Sequence, residues 1–170
     1  DGKVTTDFGF SDDDVGISVT VQADGRILVA GLSWNGNNYD FALVRYNADG
    51  SLDTAFNGDG KLTTDFASYD DGGSGVTVQA DGRILVAGYS FNGTDEDFAL
   101  VRYNADGTSF LPSAHAAAAA AAVSYNADVG FSVTLQANGR ILVAGKSYNG
   151  GDSDFALVRY NADGSLDTSF

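Results

Sequence analysis

Cysteine and methionine are both absent from this 170-residue chain. Without cysteine there are no disulfides and no thiolate metal sites, although this does not decide the compartment, because many bacterial surface proteins also lack cysteine. Without methionine, we expect a processed or truncated piece, or the ordered part of a longer chain. The only histidine, His115, leaves no histidine pair for zinc and no credible base for a Ser-His-Asp relay.

Basic residues are scarce and occupy fixed positions. Nine Lys and Arg against 23 Asp and Glu give a net charge of −14. No basic stripe remains to follow a phosphate backbone, so we expect no nucleic-acid binding. There is also no apolar run long enough to span a bilayer, so we expect no membrane insertion. The arginines form two columns of equivalent positions: Arg26, Arg83 and Arg140, then Arg45, Arg102 and Arg159.

The dominant feature of the chain is an internal repeat. The segment VTVQADGRILVAG at 76–88 recurs at 19–31 and, with two substitutions, at 133–145. A second block, DFALVRYNADG, follows each copy, at 40–50, 97–107 and 154–164, so both blocks recur with the same constant period. A fixed period of this size is typical of repeat architectures. We therefore read residues 1–170 as one repeat domain, with repeats at about 1–58, 59–115 and 116–170.

Each repeat reads as about four short β-strands. Asp-Gly between two β-rich runs predicts a tight hairpin, and the apolar run ILVAG after it predicts a strand buried on both faces. The segment DGKVTTDF at 1–8, which returns as DGKLTTDF at 59–66, predicts another short strand. With no helical periodicity, the fold class is all-β. Four-stranded units in tandem indicate a β-propeller-like array of three blades.

The repeat resembles the delta-60 repeat, which occurs in tandem in bacterial surface and secreted proteins. The resemblance rests on the pattern DGKVTTDF, VxxQADGRILVAGxS and DFALVRYNADGSLDTSF, and it covers nearly the whole chain. It implies a propeller-like array, usually without a known activity. It also implies a secreted or cell-surface protein of bacterial origin.

Three blades are fewer than the four to eight of typical propellers, which predicts partners for the ends of the array. The last residues, 165–170, correspond to 51–56, and the first residues correspond to 59 onwards, so only two positions of the repeat separate the end of the chain from its beginning. This offset lets a first strand complete the last blade. Either two chains make a six-bladed ring, or the chain is a segment of a larger ring or assembly, which we favour. Expected partners are therefore other copies or further blades, with a glycan or a surface protein as further candidates.

One stretch, residues 108–128, departs from the repeat. It contains an alanine run at 116–122, which by propensity favours a helix. The repeat frame is nevertheless kept, so that 118–123 take the place of 61–66. We interpret the alanines as placeholders for unidentified side chains and predict an extended strand there.

Calcium is the candidate cofactor, because hard cations prefer clusters of oxygen ligands. Asn and Asp side chains surround a glycine turn in the first repeat and again in the third. The alternative is that these side chains cap the turn through their own backbone. The candidate ligands are Asn47, Asp49 and Asp53, and Asn161, Asp163 and Asp167.

Loop aromatics are the candidate ligand-binding residues. An aromatic ring followed by Asn-Gly recurs once per repeat, and such a pair is suited to stacking on and hydrogen-bonding a sugar. The alternative, which we prefer, is that each ring packs against its blade. The candidate residues are Trp34 and Asn35, Phe91 and Asn92, and Tyr148 and Asn149.

Acidic residues admit two further roles. Asp40, Asp97 and Asp154 occupy one repeated position and are expected to pair with an arginine column. Carboxylate pairs such as Asp70 and Asp71 could serve a hydrolase, but we read them as solvated loop acids. The favoured function is a non-enzymatic extracellular scaffold or interaction module; a lectin-like propeller is the alternative, and a hydrolase comes third.

Overall fold

The computed structural model describes residues 2–10, 12–66, 68–108 and 127–170. These residues form ten strands and no helix, so none of them belongs to a helix that could cross a membrane. The strands are β1 (Asp14–Val21), β2 (Ile27–Trp34), β3 (Tyr39–Tyr46), β4 (Lys61–Thr64), β5 (Asp71–Val78), β6 (Ile84–Phe91), β7 (Glu96–Tyr103), β8 (Asp128–Leu135), β9 (Ile141–Tyr148) and β10 (Ser153–Tyr160).

The strands make three antiparallel sheets, which we call blades. Blade 1 has the order β1-β2-β3-β4, blade 2 the order β5-β6-β7 and blade 3 the order β8-β9-β10. Strand β5 packs against blade 1, and β8 packs in the same way against blade 2. The predicted all-β array of three propeller-like blades is therefore confirmed. Within the described residues the sheets do not close into a ring.

Each Asp-Gly or Asn-Gly hairpin turn is where the sequence predicts it. The turn glycines Gly25, Gly82 and Gly139 have φ angles of +85°, +85° and +81°, which glycine adopts without the strain of a Cβ. A second glycine is needed inside the blade. A Cβ on Gly88 would lie 1.8 Å from the carbonyl oxygen of Gly72, beside the β-bulge of β5, so only glycine fits there.

Strand β4 shows that a blade is offset from a repeat. Residues 61–64 open the second repeat, yet they pair with β3 of the first, placing Phe41 opposite Thr64 and Val44 opposite Lys61. The fourth strand of blade 1 is thus supplied by the next repeat. The residues that would supply it to blade 2, where the sequence predicts an extended strand at 118–123, lie outside the described residues.

The strand predicted at 1–8 is wrong for the described residues 2–8, which form no strand. The same segment forms β4 in the second repeat because it pairs with the edge of β3, whereas residues 2–8 pair with no described strand. Their position is nevertheless the equivalent one. The hydroxyls of Thr6 and Tyr46 lie 2.6 Å apart, as those of Thr64 and Tyr103 lie 2.7 Å apart.

The core consists of two clusters between blades, and the second reproduces the first one repeat later in the chain. Ile84 and Val86 belong to the cluster against blade 1, whereas Leu85 belongs to the cluster against blade 3. This confirms that the apolar run is buried on both faces. The first cluster contains Leu28, Ala30, Phe41, Leu43, Val76, Ile84, Val86, Ala99, Val101 and Tyr103, and the second Leu85, Ala87, Phe98, Leu100, Val133, Ile141, Val143, Ala156, Val158 and Tyr160.

Candidate functional sites within and between the blades

The turn after the third strand is held by a buried carboxylate between two guanidinium groups. In blade 1, Asp53 Oδ2 lies 2.8 Å from Arg45 Nε and 3.3 Å from Arg26 Nε. In blade 3, Asp167 Oδ2 lies 2.7 Å from Arg159 Nε and 3.5 Å from Arg140 Nε. The Ser169 hydroxyl, helped by the Ser169 amide and Arg159, lowers the pKa of Asp167 to about 2. Asp167 therefore stays ionised as an arginine partner.

This pairing bears on the two interpretations of the candidate calcium loop. Asp53 is held by its arginines, Asn47 Nδ2 donates to Ser51 Oγ at 3.0 Å, and Asp49 Oδ1 accepts from the Ser51 amide at 2.9 Å. Two guanidinium charges beside Asp53 also oppose a cation. The structure therefore favours the turn-capping interpretation. The same bonds hold Asn161, Asp163 and Asp167 in blade 3.

The predicted pairing of the Asp column with arginines is wrong. Asp40 Oδ2 instead accepts a hydrogen bond from Asn35 Nδ2 at 3.0 Å, and Asn35 Oδ1 accepts from the Asn37 amide at 2.9 Å. Each Asp bonds to a loop amide because that amide lies close to it, whereas the arginine of the same strand lies at the strand's other end. The equivalent bonds join Asn92 to Asp97 at 3.0 Å and Asn149 to Asp154 at 2.7 Å.

These bonds also bear on the predicted sugar sites. The side-chain amides of Asn35, Asn92 and Asn149, which would hydrogen-bond a sugar, already bond within their own loops. The rings are packed as well: Trp34 lies edge-on to Tyr39 with 5.1 Å between centroids, and Phe91 lies edge-on to Tyr69 at 5.5 Å. Tyr148 is the most open, with 37% of its surface exposed. The packing alternative thus describes the first two loops better than sugar stacking does.

Two arginines also tie successive blades together. Arg45 donates from Nη1 to the Ala105 carbonyl of blade 2, and its guanidinium lies 4.4 Å from the centre of the Phe56 ring. One repeat later, Arg102 donates from Nη1 to the Ala162 carbonyl of blade 3 at 2.9 Å. Arg83, in contrast, pairs with Asp81 at 2.7 Å on the surface. These two interblade contacts are made by arginines of the second column.

A cluster of three carboxylates lies between blades 1 and 2. Asp40 is on β3, Asp65 follows β4 and Asp71 begins β5; one oxygen from each lies within 4.8 Å of the others. Asp71 is fully buried and Asp40 is 5% exposed, whereas Asp65 is exposed. The Oδ1 atoms of Asp40 and Asp71 are buried without a well-formed hydrogen bond, and the Ser90 hydroxyl lies near Asp71. We call this set the interblade carboxylate cluster.

The electrostatics of this cluster are unfavourable without a counter-ion. Burial raises the pKa of Asp71 to about 6, and the charges of Asp65 and Asp40 add to the shift, while Ser90 and the Phe66 amide oppose it. Burial also raises the pKa of Asp40, against the hydrogen bond from Asn35. Within the described residues, none of the three carboxylates forms an ion pair with a basic side chain.

Asp71 corrects the interpretation of the acidic pairs as solvated loop acids. It is fully buried, and so is its repeat equivalent Asp128. The sequence does contain a sign that Asp71 is buried: Asp14, Asp71 and Asp128 recur with the period of the repeat. A repeated acidic residue directly before a strand indicates a fixed environment rather than a solvated one. Asp65 recurs as Asp7 within the word DGKVTTDF.

The outer face of blade 3 and part of the outer face of blade 1 are open, although they carry residues equivalent to those that fill the core elsewhere. Phe155 of blade 3 is 106% exposed, whereas its equivalent Phe98 is 0% exposed. Val19 of blade 1 is 65% exposed, whereas its equivalent Val76 is 7% exposed. Both ends of the array therefore present interblade surfaces that have no neighbouring blade among the described residues.

Comparison with known families agrees with this architecture. The family described as "Domain of unknown function (DUF5122) beta-propeller" matches residues 22–56, 79–109 and 136–170. The three matched segments occupy equivalent places in the repeats and together cover more than half of the chain. A comparison with curated proteins gave no match. The chain therefore belongs to the DUF5122 β-propeller family.

Proposed function

We propose that the chain is a non-catalytic scaffold of propeller blades whose two open faces receive further blades. The observation that carries this proposal is the contrast between Phe155 and Phe98, which share a sequence context and differ completely in exposure. An exposed apolar face of this kind indicates an interaction site. For the 170-residue chain, we take the occupant to be a second copy.

The two faces are complementary because each is one half of an interface that already exists in the chain. The outer side of blade 3 is equivalent to the side of blade 2 that faces blade 3. The outer side of blade 1 is equivalent to the side of blade 2 that faces blade 1, although Ala42 and Val44 on it are already buried, in a cavity that Val4 and Thr6 also line. A second copy joined head to tail needs no new kind of contact. The equivalent residues are Leu142, Ala144, Phe155 and Leu157 on blade 3, and Val19, Ile27, Val29, Ala42, Val44 and Tyr46 on blade 1.

The edge of β10, which no other described strand pairs with, adds a strand pairing to this contact. By the register of β3 with β4, residues 3–6 of a second copy would pair with β10, with Thr6 opposite Phe155 and Val4 opposite Leu157. Val4 and Leu157 are 56% and 48% exposed, whereas their equivalents Leu62 and Leu43 are 7% and 1% exposed. Pairing would protect both the edge and these side chains.

Two copies joined at both ends would give a six-bladed ring. Three copies would give nine blades, beyond the range of about four to eight in which propellers usually close. If the repeat array continues in a longer polypeptide, its further blades would occupy the same faces. In either case the proposed function is to build and present a blade surface.

A non-catalytic role is supported by the chemistry of the described residues. The repeated carboxylates serve arginines, loop amides or the buried interblade carboxylate cluster. The hydrolase alternative needs an accessible pair of acids, but Asp71, the acid with the most raised pKa, has no exposed surface. No observation favours the lectin alternative, because the amides of Asn35, Asn92 and Asn149 are bonded within their loops.

The finer assignment follows from the resemblance in the sequence. We propose that the chain is of the delta-60 repeat type and is secreted or displayed on a bacterial cell surface. Its net charge of −14 suits a protein that stays soluble at high local density. Fractionation of the natural host, with antibody detection in medium, surface and cytoplasmic fractions, tests this; a cytoplasmic signal alone would contradict it.

The association itself is tested by the native mass of the 170-residue chain in analytical ultracentrifugation. We expect a particle with twice the mass of one chain. Phe155→Asp should convert it to a monomer, because the aspartate would be buried at the interface. Phe131→Asp is the matched control, since Phe131 is an exposed phenylalanine of the same blade outside the proposed interface. A monomeric parent chain, or an unchanged mass in Phe155→Asp, would overturn the proposal.

A further inference from the structure

We propose that the interblade carboxylate cluster of Asp40, Asp65 and Asp71 is a calcium-binding site that fastens blade 1 to blade 2. The site lies within one chain and differs from the asparagine-containing turn considered above. It does not depend on the association of copies.

The spacing of the carboxylates fits the size of the ion. One oxygen from each of the three residues lies within 4.8 Å of the others. Calcium binds carboxylate oxygens at roughly 2.4 Å, so one ion can reach ligands that lie up to about 4.8 Å apart on opposite sides. Magnesium demands near-octahedral order and gives up its waters reluctantly, whereas calcium accepts irregular sets of protein oxygens. We therefore expect calcium to be preferred.

The unsatisfied oxygens are the second, independent observation. Asp40 and Asp71 are 5% and 0% exposed, and the Oδ1 atom of each lacks a well-formed hydrogen bond, although the Ser90 hydroxyl lies close enough to Asp71 to lower its pKa. A buried ionised oxygen without a donor or counter-ion is strongly unfavourable. A cation bound by the cluster would supply the interaction that these two oxygens lack.

Hydrogen bonds hold one oxygen of each of the three carboxylates in position. Asp40 Oδ2 accepts from Asn35 Nδ2 at 3.0 Å, Asp71 Oδ2 from the Phe66 amide at 2.7 Å, and Asp65 Oδ1 from the Ser68 amide at 2.7 Å. Metal-binding carboxylates are commonly oriented by such outer hydrogen bonds. The exposed side at Asp65 provides the path by which the ion enters.

Such an ion would join three separate segments. Asp40 belongs to the third strand of blade 1, Asp65 to the segment after its fourth strand, and Asp71 to the first strand of blade 2. Calcium binding would therefore stabilise the junction between the two blades. Metal that binds only the folded arrangement raises the stability of the fold by mass action.

The test uses the 170-residue chain with Phe155→Asp, which keeps it monomeric and makes the result independent of association. The protein is stripped with EDTA, dialysed and titrated with CaCl₂ in a calorimeter, and its melting temperature is measured with and without calcium. We expect one calcium per chain and a rise in melting temperature of about 5 °C or more. Magnesium should bind at least tenfold more weakly.

Asp71→Asn and Asp40→Asn should each weaken calcium binding at least tenfold and remove most of the thermal shift. Asp70→Asn is the control, because Asp70 is the exposed neighbour outside the cluster and asparagine keeps the oxygen that accepts from the Tyr39 amide. The metal-free melting temperatures show whether each variant folds. No binding at millimolar calcium, or equal binding by the parent and both cluster variants, would overturn the proposal.

Discussion

Strands β7 and β10 contain the same residues, DFALVRY, in different surroundings. In β7, Phe98 and Leu100 are 0% and 2% exposed because blade 3 covers them. In β10, the equivalent Phe155 and Leu157 are 106% and 48% exposed. Local sequence fixes the strand and the side that carries the apolar residues. Burial depends on whether a neighbouring blade is present, so identical blades contribute unequally to stability.

The largest expected effect is a difference between these two phenylalanines. Phe98→Ala should lower the free energy of unfolding by about 3–5 kcal/mol, because it empties a filled interblade space. Phe155→Ala should change it by less than about 0.5 kcal/mol in dilute, monomeric protein, as expected for an exposed position. Urea denaturation of both variants measures this. Equal losses would mean that blade 3 is covered even in the monomer.

Breaking the buried ion pair of blade 1 should have the next largest effect. Arg45→Ala leaves Asp53 buried beside only the more distant Arg26, and it removes the bond to blade 2, so a loss of about 3 kcal/mol is expected. Asp24→Asn is the comparison, because the Asp24–Arg26 pair is exposed and should contribute less than about 1 kcal/mol. Chemical denaturation of both variants decides whether burial, rather than charge pairing itself, controls the loss.

The pH dependence should distinguish two carboxylates that are shifted in opposite directions. The pKa of Asp71 is raised to about 6, above an unfolded value of about 3.9. The folded chain therefore binds more protons between pH 4 and 6, so its metal-free stability falls as pH rises through that window. Asp167, with its pKa lowered to about 2, contributes stability above about pH 4 that is lost as pH falls towards 2.

Asp71→Asn should therefore stabilise the metal-free chain above pH 6 by a few degrees in melting temperature, with no gain near pH 4. Asp167→Asn should destabilise it at pH 7. Melting curves in EDTA from pH 4 to pH 8 provide the measurement. An Asp71→Asn variant that melts below the parent at pH 7 would show that the carboxylate has a stabilising partner without metal.

The smallest expected effect compares two equivalent hydroxyl contacts. Tyr103 is 3% exposed and its hydroxyl lies 2.7 Å from that of Thr64, so Tyr103→Phe should cost about 1 kcal/mol. Tyr46 makes the same contact to Thr6, but residues 2–8 are not held in a strand. Tyr46→Phe should therefore have almost no effect on urea denaturation of the monomer. If association orders residues 3–6, the two variants should become similar in the dimer.

The sequence predicted the parts of the fold that depend on nearest neighbours. The Asp-Gly turns, the strand ILVAG and the three-blade array all follow from local geometry and from the repeat. It did not predict that residues 2–8 would lack a strand, because a strand needs an edge supplied from elsewhere. The repeat period does not reveal whether the strand that supplies this edge belongs to the same chain.

The candidate site was harder to predict than the fold. Asp71 lies beside Asp70 in the sequence, but one side chain is buried and the other exposed, a difference that depends on the strand starting at residue 71. Asp65 joins the cluster only because β4 crosses to blade 1. The pairing of Asp40 with Asn35 instead of arginine also depends on the shape of a loop. Repetition of Asp14, Asp71 and Asp128 was the only signal available in advance.

The origin of β4 in the following repeat has a consequence for how such proteins change in length. If every repeat follows the arrangement of blade 1, a recombination event that inserts or deletes one full repeat adds or removes one complete blade wherever the break falls. Each repeat would then give one strand to the blade before it and receive one from the repeat after it. The register at the junction is preserved, since both sides of the break carry the same sequence. Blade number can therefore vary between related genes without any intermediate that leaves an internal strand unpaired.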